Sequence, residues 1–333
     1  MTTKPIGILY EHPEWFRPLF AELERRGLPH EGILVHEHRY DPSATESPYA
    51  LVVNRVSPSS YLRRHTAAIF HALQYLAHLE GISVPIINGT RAYQMELSKA
   101  RQLSLMAALG LPHPRSRVVN HPSQIEPAAR ELEYPLIVKP NIGGSGALMR
   151  RLDRPGELRA ALEAGELDGI FGLDRTAIVQ EYHPQRGGSI VRVEGLNDRL
   201  LYAIRIHSDP SQGFNLCPAD ICQVPESAVA AAPGGASAFD NCAVDAGKAQ
   251  RKIELAEPPA WVVDGVLSIF REAGIDVGGV EYLESERDGQ IYLYDVNSLS
   301  NFVTDAPTLV GFDPFARLVD YIELRAGIAV RAR

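Results

Sequence analysis

Apolar residues near the start of the chain switch repeatedly between strand and helix periods. Lys4 to Tyr10 is a β-rich run, and Pro13 to Arg26 follows with apolar residues at helical spacing before Gly27, a natural stop. Gly32 to Val35 and Ala50 to Val53 read as strands, His65 to Leu79 as an amphipathic helix, and Val84 to Asn88 as another strand. This alternation predicts a parallel sheet flanked by helices. A further helix, Ala92 to Leu109, carries Lys99 and stops at Gly110, after which Pro112 and Pro114 mark a linker.

Beyond the linker the pattern changes. Pro135 to Pro140 is an apolar strand, Asn141 to Gly146 a glycine-rich turn, and Ala147 to Leu152 the returning strand. Pro155 to Ala164 is helical in pattern, Ala177 to Tyr182 is a strand, and Ile190 to Val193 with Leu200 to Ile206 predicts an antiparallel pair. Cys217 to Lys252 is rich in Ala, Gly, Pro and Ser and reads as an irregular excursion, followed by a helix at Pro259 to Ala273. Val277 to Glu284 and Gln290 to Val296 flank the polar turn Ser285 to Gly289, and Phe312 to Arg325 closes as a helix. The expected class is α/β combined with α+β, in three regions: 1–111 with the parallel sheet, 112–184, and 185–333.

Composition narrows the function classes. The 333 residues suit several packed subdomains, and 45% hydrophobic with 22% charged residues excludes a disordered or fibrous chain. A net charge of −8 disfavours nucleic acid and anionic membrane as partners. Without a basic region leading into an apolar segment, or an apolar run of about 20 residues, a cytoplasmic location is expected. Cys217, Cys222 and Cys242 lack zinc-site spacing and read as reduced thiols, with a pocket or redox role for Cys217 and Cys222 as the alternative.

Candidate chemistry begins at Val138-Lys139-Pro140-Asn141-Ile142-Gly143-Gly144-Ser145-Gly146. A lysine ending a strand beside glycines joins a mobile positive charge to backbone N–H groups that can approach anionic oxygens. The stretch is neither a Walker A loop nor a dinucleotide fingerprint. Gln180-Glu181-Tyr182-His183 could offer backbone groups to an adenine edge. Glu281 and Asp295-Val296-Asn297 place two carboxylates and an amide oxygen on paired strands, with Asp295 and Asn297 on one face. Hard oxygen ligands of this kind suit magnesium beside phosphate.

The ordered set Lys99, Lys139 with its glycine loop, Gln180 to His183, Arg205, Glu281 and Asp295 to Asn297 resembles the ATP-grasp superfamily over roughly residues 1 to 325. With Asn54-Arg55-Val56-Ser57, the spacing is similar to the branch holding ribosomal-protein glutamate ligases and glutathione synthetases. The resemblance implies a Rossmann-like N-terminal domain, then two antiparallel lobes clasping ATP. It implies that Lys99 and Lys139 contact phosphates, Gly143, Gly144, Ser145 and Gly146 form a lid, and Gln180, Glu181, Tyr182 and His183 form an adenine hinge. Glu281, Asp295 and Asn297 would hold Mg2+, or Mn2+, and Arg192 and Arg205 would act on the transferring phosphoryl group. Arg55, Ser57, Asn215 and Asn301 would bind substrate.

Several positions depart from the branch. Glu281 stands where the family usually has Asp, and Asp295 where it usually has Glu. Ser298-Leu299-Ser300-Asn301 replaces Ser-Pro-Gly, Gly213-Phe214-Asn215 replaces Arg-Ser-Asn, and the acidic ribose contact falls near Ser189 and Ile190. The Cys217 to Lys252 excursion either shapes the acceptor pocket or is a tolerated insertion. The implied reaction joins a carboxylate to an amine through an acyl phosphate, with small molecules, peptides or a carrier protein as substrates. Alternatives are a small-molecule kinase on the same scaffold and a nucleotide-binding regulatory module, and a homodimer is compatible with each.

Overall fold

The computed structural model describes residues 4–144, 146–207 and 252–328. β1 (Ile6–Tyr10), β2 (His30–Leu34), β3 (Leu51–Arg55) and the two-residue β4 (Ile86–Ile87) form a parallel sheet of order β2-β1-β3-β4. β1 and β3 are buried almost throughout, as expected of parallel strands covered on both faces. α1 (Arg17–Arg25) and α2 (Thr66–Gly81) supply the cover.

The helix expected at Ala92 to Leu109 is two helices, α3 (Thr90–Glu96) and α4 (Lys99–Ala108). Ser98 adopts extended backbone between them, and its Oγ accepts from the Arg101 amide at 3.2 Å, an N-cap that starts α4 afresh. The break places Lys99 in the first turn of α4.

A second sheet, antiparallel and ordered β5-β8-β6-β7, contains β5 (Ser116–Val119), β6 (Leu136–Pro140), β7 (Arg150–Leu152) and β8 (Ala177–Glu181). α5 (Ile125–Ala129) and α6 (Pro155–Glu163) close its core against Leu136, Val138 and Val179. The third sheet, β11-β10-β9-β12-β13, contains β9 (Ser189–Leu196), β10 (Arg199–His207), β11 (Ile253–Leu255), β12 (Val277–Glu284) and β13 (Ile291–Asn297), paired antiparallel throughout.

Side-chain alternation gives the third sheet two cores. Val191, Val193 and Ala203 pack with α4 and α7 (Ala260–Ala273), while Ile190, Leu196 and Ile204 join Ile6, Ile8 and α9 (Pro314–Arg325). The short α8 (Ala306–Val310) precedes α9. Asn88, just past β4, donates from Nδ2 to the Val277 carbonyl at 2.7 Å and accepts at Oδ1 from the Asp276 amide at 2.8 Å, which joins the parallel sheet to β12. Among the described residues, no helix is long and apolar enough to cross a membrane.

Candidate active site

A cavity of about 220 Å³ is walled by the second and third sheets, with the loop after β3 at one end. β6 contributes Lys139, β8 contributes Gln180 and Glu181, β9 contributes Arg192, and β12 and β13 contribute Glu281, Asp295 and Asn297. Lys99, Gly143, Gly144, Gly146, Tyr182, His183, Ser57 and Asn301 complete the predicted residues that line it.

Hydrogen bonds explain why distant segments meet here. Gln102, buried on α4, donates to the Val296 carbonyl at 2.8 Å and accepts from the Val296 amide at 3.2 Å, locking the helix that carries Lys99 to the strand that carries Asp295 and Asn297. Asn141 holds the glycine turn to the same helix: its Oδ1 accepts from the Ala100 amide at 2.9 Å and from Ser98 Oγ at 3.2 Å. A Cβ added to Gly144 would stand 2.6 Å from Ser59 Cβ, so only glycine permits this approach of the turn to the loop after β3.

Charges in the cavity are arranged in connected pairs. Lys99 Nζ donates to Asp295 Oδ1, and Asn297 Nδ2 donates to Asp295 Oδ2 at 3.3 Å. Glu281 lies opposite Asp295 across the strand pair; it accepts from Arg192 Nη1 at 3.0 Å and from Tyr294 Oη at 2.8 Å. A register shift between Glu281 and Tyr282 lets both Tyr294 and Asp295 reach this face. Arg192 Nε donates to the buried Glu194 Oε1 at 2.6 Å, and Ser300 Oγ donates to the same oxygen at 2.8 Å.

Burial and the neighbouring Asp295 raise the Glu281 pKa against the pull of Arg192. Burial opposes ionisation of Asp295 as well, but Lys99 and Lys139 outweigh it and hold its carboxyl below the usual value. Two adjacent carboxylates plus an amide oxygen are a hard-oxygen donor set whose chemistry fits a divalent cation of the magnesium type, which would compete with Lys99 for Asp295 and with Arg192 for Glu281. Burial, followed by repulsion from Lys99, lowers Lys139 to about 7.

That depression gives a measurable linkage. Above pH 7 Lys139 is largely neutral, and a polyphosphate placed beside it would stabilise its charged form, so binding of such a ligand at pH 8 should take up a proton. Below pH 6 the lysine is already charged and the uptake should vanish. Calorimetry of ATP binding in buffers of different ionisation enthalpy should show an uptake approaching about one proton at pH 8, lost in Lys139→Met.

Gln180, Glu181 and His183 are tied to the segments around them. Gln180 Nε2 donates to Ser116 Oγ at 2.9 Å, Glu181 Oε1 accepts from the Glu133 amide at 2.9 Å, and His183 Nδ1 lies 3.1 Å from Ser285 Oγ. The Glu181 and Tyr182 amides bond the Arg115 and Pro135 carbonyls, so neither is open to an adenine edge as arranged here. Arg151 lies over the Tyr182 ring, 4.4 Å from its centroid.

Arg205 corrects the expectation of two arginines at one site. It pairs with Val191 in register while Arg192 pairs with Ile204, so alternation sends the two arginines to opposite faces of the sheet. Arg205 donates to Ser189 Oγ at 3.1 Å and is not among the cavity residues. Arg55 is fully buried just behind the cavity; its Nη2 donates to the Ser300 carbonyl, and its ring neighbour is Phe16, at 5.3 Å. Ser145, Asn215 and the Cys217 to Lys252 excursion, apart from Lys252 itself, lie outside the described residues.

Several residues in or beside the cavity carry no sequence-based assignment, among them Trp15, Glu96, Gln102, Glu194 and Tyr294. Glu96 accepts from Ser298 Oγ at 3.1 Å and from the Leu299 amide at 3.3 Å, and burial pushes it up to about 7. The two-residue spacing of Arg192 and Glu194 on a strand was a readable signal for a shared face. Nothing local marked Glu96, which reaches the site through the break before α4.

No family model matches the chain. D-alanine–D-alanine ligase B of Chromobacterium violaceum is 34% identical over 86 residues, which cover 26% of this chain and 28% of that protein. The probable alpha-L-glutamate ligase 1 of Shewanella sp. strain ANA-3 is 24% identical over 218 residues, 60% of this chain and 66% of that protein. The chain spans less than half the length, 28 to 42%, of the first D-alanine–D-alanine ligases it matches. The solved structure of ATP-grasp ligase PsnB, complexed with a phosphomimetic variant of minimal precursor, Mg and ADP, is similar with a TM-score of 0.65 at 18% identity, over 98% of this chain and 100% of that chain.

Proposed function

The chain has the ATP-grasp fold, and from that premise we propose that it is an ATP- and magnesium-dependent ligase that joins a carboxylate to an amine. The observation that carries this reading is the convergence of Lys99, Lys139, Arg192, Glu281, Asp295 and Asn297 on one cavity beside a glycine turn. The matched relatives support it, since each is named as a ligase and one was solved with Mg and ADP.

In this proposal Lys99 and Lys139 bind the phosphates, with Gly143, Gly144 and Gly146 as a lid and the Gln180 to His183 segment against the adenine through groups other than the Glu181 and Tyr182 amides. Glu281, Asp295 and Asn297 would hold Mg2+, or Mn2+, which when bound supplies neutralising charge to the phosphates. Arg192 faces the same space and stabilises charge on the phosphoryl group as it passes to the substrate carboxylate. The amine then attacks the acyl phosphate, forming the amide and expelling phosphate while ADP remains to be released. No protein nucleophile is needed, so catalysis rests on positioning and on keeping water from the intermediate.

The substrate end is proposed at Ser57, Asn301 and Ser300, next to Trp15 and Phe302. Arg55 acts there as a positioning residue, because it reaches the Ser300 carbonyl from behind the cavity. Burial lowers its pKa to about 10, so it is charged at neutral pH. Arg55→Ala should raise the substrate KM by about tenfold or more while changing kcat less, the loss expected for one charge-assisted hydrogen bond. Unaltered kinetics in this variant would remove Arg55 from the substrate end.

The function is tested by screening ADP release across paired carboxylates and amines, peptides included, with the product mass determined. Amine-dependent ADP release, with a product whose mass equals both substrates less water, is the expected result. A phosphorylated product formed without amine would establish a kinase instead. ATP binding without turnover on any pair would leave a nucleotide-binding module.

A further inference from the structure

The parallel sheet carries a second group of ionisable side chains, remote in sequence from the cavity carboxylates. Glu11 directly follows β1, His36 lies just past β2, and His65 follows the 3₁₀ turn Pro58–Arg63 that succeeds β3. All three therefore stand at the carboxyl ends of adjacent strands, where the order β2-β1-β3-β4 reverses its winding about β1. Open α/β sheets take ligands in the crevice at such a reversal.

One ligand atom from each of Glu11, His36 and His65 lies within 4.8 Å of the other two. Glu11 is a buried carboxylate whose Oε1 is 2.5 Å from His65 Nδ1. Its Oε2 accepts from Arg63 Nη2 at 2.5 Å and from Arg63 Nε at 2.9 Å. The His36 and His65 rings stack with centroids 3.8 Å apart, and His36 is exposed, so the group is open to solvent on one side.

We propose that Glu11, His36 and His65 form a binding site for a zinc-class divalent ion. Two imidazoles and one carboxylate suit Zn2+, Co2+ or Ni2+ and not a hard, strongly hydrated Mg2+. The ion displaces the proton shared by Glu11 and His65, and the exposed His36 ring turns toward it. Arg63, bonded chiefly to Oε2 and through Nε also to Oε1 at 3.1 Å, orients Glu11 as an outer-shell partner does at metal centres. Arg63 also lies over Trp15, 4.5 Å from the ring centroid, and 3.3 Å from Ser59 Oγ. Trp15 and Ser59 line the nucleotide cavity, so an ion held here stiffens its N-terminal wall.

The test uses the full chain titrated with Co2+ or Zn2+ in the absence of nucleotide, with excess Mg2+ present to occupy hard-oxygen sites. About one equivalent of Co2+ should bind and give visible absorption typical of nitrogen and oxygen ligands, without a thiolate charge-transfer band. His36→Ala, a change at an exposed ring, should weaken Zn2+ binding at least about tenfold, and His36→Ala with His65→Ala should abolish it. Circular dichroism of both variants should match the parent. The proposal is overturned if no stoichiometric ion binds, or if binding is unchanged in both variants. It is also overturned if a thiolate band shows that Cys217, Cys222 or Cys242 takes the ion instead.

Discussion

Asp295→Ala should cut ADP release at least about a hundredfold, the scale on which removal of one charge-stabilising group slows an enzyme. Asp295 touches Lys99 and Asn297 and faces Glu281, so its loss removes a proposed metal ligand and the counter-ion of Lys99 together. Lys99 and Lys139 would then stand near one another with less opposing charge. The lowered pKa of Lys139 shows how the fold absorbs this, because the lysine can shed its proton. Folding should therefore persist, with a loss of about 1–3 kcal/mol read by urea denaturation. Asp295→Asn separates charge from shape: it should retain stability more fully than alanine while remaining nearly as inactive. Undiminished ADP release in either variant would exclude Asp295 from the reaction.

Arg192→Ala is expected to have the largest effect on stability. Arg192 is itself buried and bridges Glu194, which is fully buried, to Glu281, which is nearly so. Removing it leaves two carboxylates enclosed without their shared cation, a change that typically costs about 3–5 kcal/mol. Arg192→Lys should recover only part, since one ammonium cannot reproduce the fork that reaches Glu194 from Nε and Glu281 from Nη1. A double-mutant cycle with Glu194→Ala, measured by denaturant unfolding, should show coupling of at least about 1 kcal/mol. Strict additivity of the two changes would mean that the bridge contributes nothing to folding.

Local patterns revealed most strands because period-two alternation and apolar runs are properties of a few adjacent residues. The Lys139 strand with its glycine turn, the paired strands bearing Glu281 and Asp295, and the parallel opening were legible in this way. β5 and α5 were not, since Ser116–Val119 is short and largely uncovered and Ile125–Ala129 spans little more than one turn. The division between α3 and α4 was signalled by Ser98, a good N-cap residue, but helical periodicity on both sides masked it.

The sequence by itself determined the fold class, the types of chemistry available and the alternation that puts Asp295 and Asn297 on one face. Only the tertiary structure decided that Arg192 enters the cavity and Arg205 does not, because facing depends on strand register and not on residue type. It also decided that Arg55 supports the Ser300 carbonyl from behind the cavity wall and that Glu96 and Glu194 join the network. These partners are separated by long stretches of chain. Their contacts exist only once sheets and helices have packed and brought these buried polar groups together.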